Sequence, residues 1–140
     1  MPDRLLFSLS RIHYRVTSHF KNEFKKQGID LSPGQMAILM ALKRDRETTM
    51  GTLSRTIEVD NAAATRLVDK LEKQGLVERR LNRSDRRQML IAITGEGLKR
   101  AQMLKAIVHD VNRRIAEGFS EEEMKIYQRV NQTILERFSS

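Results

Sequence analysis

Five arginines, Arg79, Arg80, Arg83, Arg86 and Arg87, crowd into nine residues, with Asp85 set among them. On a lone surface turn so much positive charge repels itself and adds nothing to a core. Against a nucleic-acid duplex it neutralises phosphates, and an arginine at the tip can enter a narrow minor groove, where the negative potential is deepest. Asp85 reads as the ion-pair partner of Arg87, holding that side chain before a polyanion arrives. The competing reading is a solvated charged turn. A second set lies upstream, where Asn61, Ala62, Thr65 and Arg66 form the outward side of a helical pattern, with Lys70 one turn further on. The small residues Asn61, Ala62, Ala63 and Thr65 leave a helix narrow enough for a major groove. There, alanine can touch a thymine methyl, asparagine and threonine can bond to base edges or phosphates, and arginine can reach guanine. The helix N-terminus itself favours phosphate. The plainer reading of Ala62 to Ala64 is helix propensity or a fit against a neighbour, and Ala64 is assigned inward on that ground.

Other constellations are weaker. Arg11, His13 and Arg15 could meet an anionic ligand, although a dimer-interface or solvated histidine is the better account of His13. His13, His19 and His109 do not cluster at ligand spacing, so no metal site and no cofactor is expected. No nucleophile elbow, phosphate-binding glycine loop or metal triad is present, which argues against an enzyme. There are no cysteines, which excludes disulfides and thiol redox sensing. The formal net charge of +8 favours a polyanionic partner. The basic residues gather at one turn rather than along an amphipathic helix face, which disfavours a membrane surface. Neither a signal peptide nor a run of about 20 apolar residues occurs, so no membrane association and a cytoplasmic location are expected.

The elements that must position these residues follow from periodicity. Leu5, Leu9, Ile12, Val16, Phe20 and Phe24 recur every three or four residues, one stripe of a long helix stopped by Gly28. Ser32-Pro33-Gly34-Gln35 supplies an N-cap, a proline for the first turn and the glutamine of a capping box. Met36, Leu39, Met40 and Leu42 mark the helix that follows. Thr49 caps a short third helix through Leu53 and Ile57. Asp60 caps a fourth, with Ala64, Leu67, Val68 and Leu71 inward and Gly75 at its end. The period then changes. Leu76 to Leu81 and Gln88 to Thr94 read as a β-hairpin around the polar tip Asn82 to Arg87. Thr94 caps a helix carrying Leu98, Ala101, Leu104, Val108, Val111, Ile115 and Phe119. Ser120 with Glu123 opens the last helix, which carries Met124, Tyr127, Val130, Ile134 and Phe138.

The expected fold is mainly α with a small β-hairpin wing: a winged helix-turn-helix plus N- and C-terminal dimerisation helices. It comprises a single chain, 1–140, with a DNA-binding region at 32–94 and dimerisation helices at 1–28 and 95–140. The outer helices carry wider apolar stripes than one monomer's core can cover, and pairing with an identical subunit would cover them. A two-fold dimer would present two recognition helices to half-sites one helical turn apart.

In this order the residues resemble the MarR (multiple antibiotic resistance regulator) family of bacterial and archaeal transcription factors, over nearly the whole chain. The resemblance rests on Val59-Asp60, on Thr65-Arg66-Leu67-Val68-Asp69-Lys70-Leu71-Glu72, and on Gly75-Leu76-Val77-Glu78-Arg79. It continues through Asp85-Arg86-Arg87 and Leu90-Ile91-Ala92-Ile93-Thr94 to Gly95-Glu96-Gly97. Asp85 and Arg87 fill the family's Asp-x-Arg wing motif. The resemblance implies a triangular homodimer, a recognition helix from Asp60 to Gln74, a minor-groove arginine at Arg87 and its orienting partner at Asp85. It also implies a sequence-specific regulator of double-stranded DNA, a repressor on a pseudo-palindromic operator. A small anionic or phenolic effector would relieve it, bound where the first, second and fifth helices converge. The alternative is an architectural nucleic-acid-binding protein without sequence preference or effector. Two departures stand out: Glu58 replaces a common glycine between the two core helices, and alanines replace more polar recognition-helix residues. The cysteine-dependent oxidation-sensing branch is excluded.

Overall fold

A long N-terminal helix, α1 (Leu5–Lys26), ends where the sequence places Gly28. Gly28 takes a left-handed φ of 69°, and Ile29 N–H closes the helix by donating to Phe24 O at 2.8 Å. This is a Schellman cap, in which the left-handed residue lets the chain double back and satisfy the last carbonyls. It buries Ile29 beside Phe24, whose ring packs 5.6 Å from that of Phe20. The structure, a computed structural model, describes residues 4–139. Residues 1–3 and 140, the outer ends of the segments expected at 1–28 and 95–140, lie outside them.

Helix α2 (Pro33–Asp45) starts with the capping box read from the sequence. Ser32 N–H donates to Gln35 Oε1 at 2.8 Å and Gln35 N–H to Ser32 Oγ at 3.3 Å. Gln35 is buried, and its amide continues to Gln74 Oε1, while Gln74 Nε2 donates to Asp30 O at 3.1 Å. One capping residue thus ties two helix ends to the loop after α1. Next comes β1 (Glu47–Thr49), then α3 (Met50–Thr56), α4 (Asn61–Lys73), β2 (Val77–Leu81), β3 (Met89–Ile93), α5 (Gly95–Ala116) and α6 (Glu121–Arg137). Strand β1 adds to the expected two-stranded hairpin. It is three residues long, too short to show a period of two, and it exists by pairing Thr48 with Ile91 on β3. The sheet is antiparallel in the order β1-β3-β2, and β3 at its centre carries the buried Ile91, Ala92 and Ile93.

Residues up to Ile107 form one compact unit and residues from Val108 a second, with α5 running through the boundary. The first unit's core joins Ile38, Leu39 and Leu42 of α2 to Leu53 of α3, Val68 and Leu71 of α4, Ile91, and Ala101 and Leu104 of α5. In the second unit Ser120 and Glu123 form the expected capping box, and three glutamates occupy the favourable first turn of α6. Among the described residues no helix is long and apolar enough to cross a membrane.

The start of α5 sits against the end of α4. Thr94 Oγ1 donates to Gly75 O at 2.6 Å and accepts from Gly97 N at 3.0 Å, while Thr94 N donates to Leu76 O at 3.1 Å. A Cβ on Gly97 would overlap Leu76 O and crowd Ile93 Cγ1, whereas one on Gly95 would meet open space. Gly97→Ala should therefore lower the urea midpoint by an amount equivalent to about 2–3 kcal/mol, with the m-value unchanged. Gly95→Ala should be neutral or stabilising by up to about 1 kcal/mol. Equal effects from the two would exclude close packing at Gly97.

Candidate nucleic-acid interface

Helices α3 and α4 are joined by a turn that a glycine would suit. After α3, Ile57 is the C-cap and Glu58 adopts a left-handed φ of 57°. Val59 N–H donates to Ser54 O at 3.0 Å and Glu58 N–H to Arg55 O at 3.3 Å, the two hydrogen bonds of a Schellman cap. The replacement of glycine by Glu58 therefore leaves a tight left-handed turn in place, and the exposed glutamate bears its steric cost. Asp60 then starts α4 as the sequence indicates, its Oδ1 accepting from Ala63 N at 2.7 Å.

Ala64, Val68 and Leu71 of α4 are fully buried, which turns the opposite side of the helix to solvent. Asn61, Ala62, Arg66 and Lys70 are exposed there. Thr65 is half-buried on the flank, and its hydroxyl donates to Asn61 O at 2.7 Å. It therefore offers outward only an acceptor and a methyl group.

The wing loop between β2 and β3 is ordered by its own side chains. Asn82 N donates to Gln88 O at 3.2 Å, Ser84 N to Asn82 Oδ1 at 3.0 Å and Gln88 N to Asp85 O at 3.0 Å. Asp85 Oδ1 accepts both the amide of Arg87, at 3.1 Å, and its Nε, at 3.3 Å. The expected Asp85–Arg87 pair is thus formed, and the Arg87 side chain is still 93% exposed. Arg83 and Arg86 are exposed on the same loop.

The five wing arginines do not act alike. Along β2, Val77 and Arg79 share one face, and Val77 is buried there. Arg79 accordingly turns toward α4 and forms a fork with its carboxylates: Nη1 to Glu72 Oε1 at 2.7 Å and Nη2 to Asp69 Oδ1 at 2.5 Å. Its backbone N–H also donates to Glu72 Oε2 at 3.2 Å. Partial desolvation opposes the charge of Arg79, but the bonds and charges of Asp69 and Glu72 outweigh it and raise its pKa above the ordinary arginine value. Arg80, on the other face, is paired with Glu78 and with Glu47 of β1. Composition alone groups Arg79 with the phosphate-neutralising arginines and overlooks its carboxylate partners Asp69 and Glu72. A period of two on β2 from Val77, set beside two carboxylates three residues apart on α4, was the signal for them.

Two of the three effector candidates share a groove and the third does not. Arg11 and Arg15 lie along an open groove on α1 with Ser8, Ile12 and Val16. Arg11 also stands over the Phe7 ring, 5.7 Å from its centroid. His13 is exposed and does not line that groove. Among the described residues no group of His, Asp or Glu is placed to hold a metal ion.

Residues 29–88 match the model of the MarR family. Over 117 residues the chain is 27% identical to the HTH-type transcriptional repressor MdtR of Bacillus subtilis, covering 84% of this chain and 74% of that one. It is 29% identical over 136 residues to the HTH-type transcriptional repressor YetL of the same species, with coverages of 96% and 78%. A MarR protein from Peptoclostridium difficile has the same fold, with a TM-score of 0.79 over 96% of this chain and 86% of that one, at 19% identity. These similar proteins are transcriptional regulators rather than enzymes.

The turn geometry makes a stability prediction. Glu58→Gly removes the left-handed strain but loosens the unfolded chain, so the thermal midpoint should move by no more than the equivalent of about 1 kcal/mol. Glu58→Val places a β-branched side chain in the same conformation and should lose about 1–2 kcal/mol. Equal midpoints for the two variants would rule out the left-handed turn.

Proposed function

We propose that the chain is a MarR-family winged helix-turn-helix transcriptional regulator that acts as a sequence-specific repressor, binding double-stranded DNA as a homodimer. The observation that carries this reading is the exposed face of α4, bearing Asn61, Ala62, Arg66 and Lys70, in the same folded unit as a self-ordered wing bearing Arg83, Arg86 and Arg87. In this reading α4 enters the major groove and Thr65 lies at its edge. Arg87, steadied by Asp85, reaches into the minor groove, where a narrow width concentrates negative potential. Because the wing loop is ordered beforehand, binding does not carry the entropy cost of folding it.

Dimerisation is supported by apolar surface on two helices taken separately. On α1, Leu5, Leu6, Phe7, Leu9 and Ile12 are exposed, with Leu6 at 78%. On α6, Ile126, Tyr127, Val130, Leu135 and Phe138 are exposed, and no residue of that helix is buried. A 17-residue helix that buries nothing is marginal in water, so a second copy is its natural covering. Two copies would place two α4 helices on a pseudo-palindromic operator. A small anionic or phenolic effector would act by shifting the two DNA-binding lobes off that spacing, and the groove beside Arg11 and Arg15 offers it charge. Such a coupling of about 1–3 kcal/mol would weaken binding roughly 5- to 150-fold. The place of action is the cytoplasm.

Anisotropy titrations at about physiological salt should give an affinity ratio of about 10³ or more between DNA upstream of the chain's own gene and scrambled DNA. A ratio near one there, repeated with duplexes selected from a random pool, would replace this reading with non-specific architectural binding. Arg87→Ala should weaken all duplexes and reduce the salt slope by about one, whereas Arg66→Ala should also change base preference. Ile12→Glu should lower the dimer fraction in light scattering and reduce operator affinity at least about tenfold. A fully dimeric Ile12→Glu variant would remove α1 from the interface.

A further inference from the structure

We propose that Arg79 is a positioning residue for DNA binding: it sets the angle of the wing against α4, so that helix and wing meet a duplex as one rigid reader. The proposal rests on the DNA-binding reading above and goes beyond it, because Arg79 would touch no nucleic acid. Both terminal nitrogens of its fork are occupied, one by Glu72 and one by Asp69, and its side chain is only 25% exposed. Glu72 meanwhile binds Arg79 twice, through the guanidinium and through the backbone amide. Three hydrogen bonds thus join the middle of β2 to two positions one helical turn apart on α4.

The position of the fork makes it a control on the wing. Arg79 lies four residues from Arg83, at most about 13 Å of extended chain. Over that length a tilt of about 10° moves the wing tip by roughly 2 Å, enough to lose a hydrogen bond to a phosphate or base. The β2–β3 ladder alone cannot prevent such a tilt, because both strands would move together, and β1 holds only the far edge of β3, as far as Leu90. The buried Val77 anchors the root of β2, whereas Leu81 beyond Arg79 is 68% exposed and leaves the distal part unpacked. Arg79 is therefore the last point at which the wing is held to α4 among the described contacts. The fork's contribution to folding is small by comparison, because the carboxylate side chains are half exposed and such pairs add little stability.

The test uses the full chain and a duplex selected against it from a random-sequence pool, with affinity by anisotropy and folding by thermal midpoint. Arg79→Ala should bind about tenfold more weakly, with its midpoint within a few degrees of the unsubstituted protein. Arg79→Glu should be weaker again. The reciprocal swap Glu72→Arg with Arg79→Glu restores an ion pair at unchanged net charge and should return affinity to within about threefold. Unaltered binding by Arg79→Ala would overturn the proposal. So would a folded swap variant as weak as Arg79→Glu, since the cation itself would then be touching DNA. If Arg79→Ala melts early, Asp69→Asn removes one arm of the fork with β2 still paired, and loss of affinity without loss of midpoint is the expected result. A midpoint loss that accounts for the whole affinity loss in both variants would make the fork merely structural and overturn the proposal. Failure of the unsubstituted chain to enrich any duplex would instead refute the DNA-binding reading itself, and this proposal with it.

Discussion

The backbone of Leu76 is where the parts of the winged helix are joined. Its N–H donates to Leu71 O, closing α4, and its carbonyl accepts from Thr94 N, closing the root of the wing. Thr94 in turn holds Gly75 O through its hydroxyl and receives Gly97 N, which begins α5. Buried backbone groups must be paired, so these bonds depend on one another: moving one element would orphan a donor or acceptor of the next. Gly97 permits the approach because it presents no Cβ to Leu76 O. The end of α4, the base of the wing and the start of α5 are therefore held within a few residues of chain. The core beneath them, with Val77 and Ile91 buried, fills the space those bonds define.

On that frame the charges of the wing separate into two kinds. Arg79 and Arg80 are occupied by Asp69, Glu72, Glu78 and Glu47, on opposite faces of β2. Arg83, Arg86 and Arg87 project from the loop, and Asp85 restrains Arg87. The self-repulsion of five clustered arginines is thus relieved by interleaved carboxylates in the strand and by exposure at the tip. The exposed positive charge of the wing is concentrated in its loop, on Arg83, Arg86 and Arg87. A basic surface of this kind meets phosphates with its geometry already set.

The local devices of this fold are legible in the chain because each operates over three or four residues. Ser32 with Gln35, Asp60 with Ala63, and Ser120 with Glu123 are caps that need no distant partner. The apolar steps that bury Ala64, Val68 and Leu71 likewise follow from helical geometry alone. The same pattern turns Asn61, Arg66 and Lys70 outward, and the Asp85–Arg87 pair is a contact two residues apart. Even the departure at Glu58 could be seen beforehand, although its left-handed φ could not.

Tertiary structure decided what depends on distant partners. Strand β1 is too short to have a period and exists only because β3 offers an edge. Arg79 and Arg87 are the same residue type in one basic stretch, yet one is turned onto Asp69 and Glu72 while the other stands in solvent. The difference comes from register against β3 and from the distance at which the Leu76 junction holds β2 from α4. Residue types and local periodicity determined which elements form and which charges they carry. Only packing decided which of those charges are spent inside the protein and which remain for a partner, because an ion pair between elements exists only once both elements are placed.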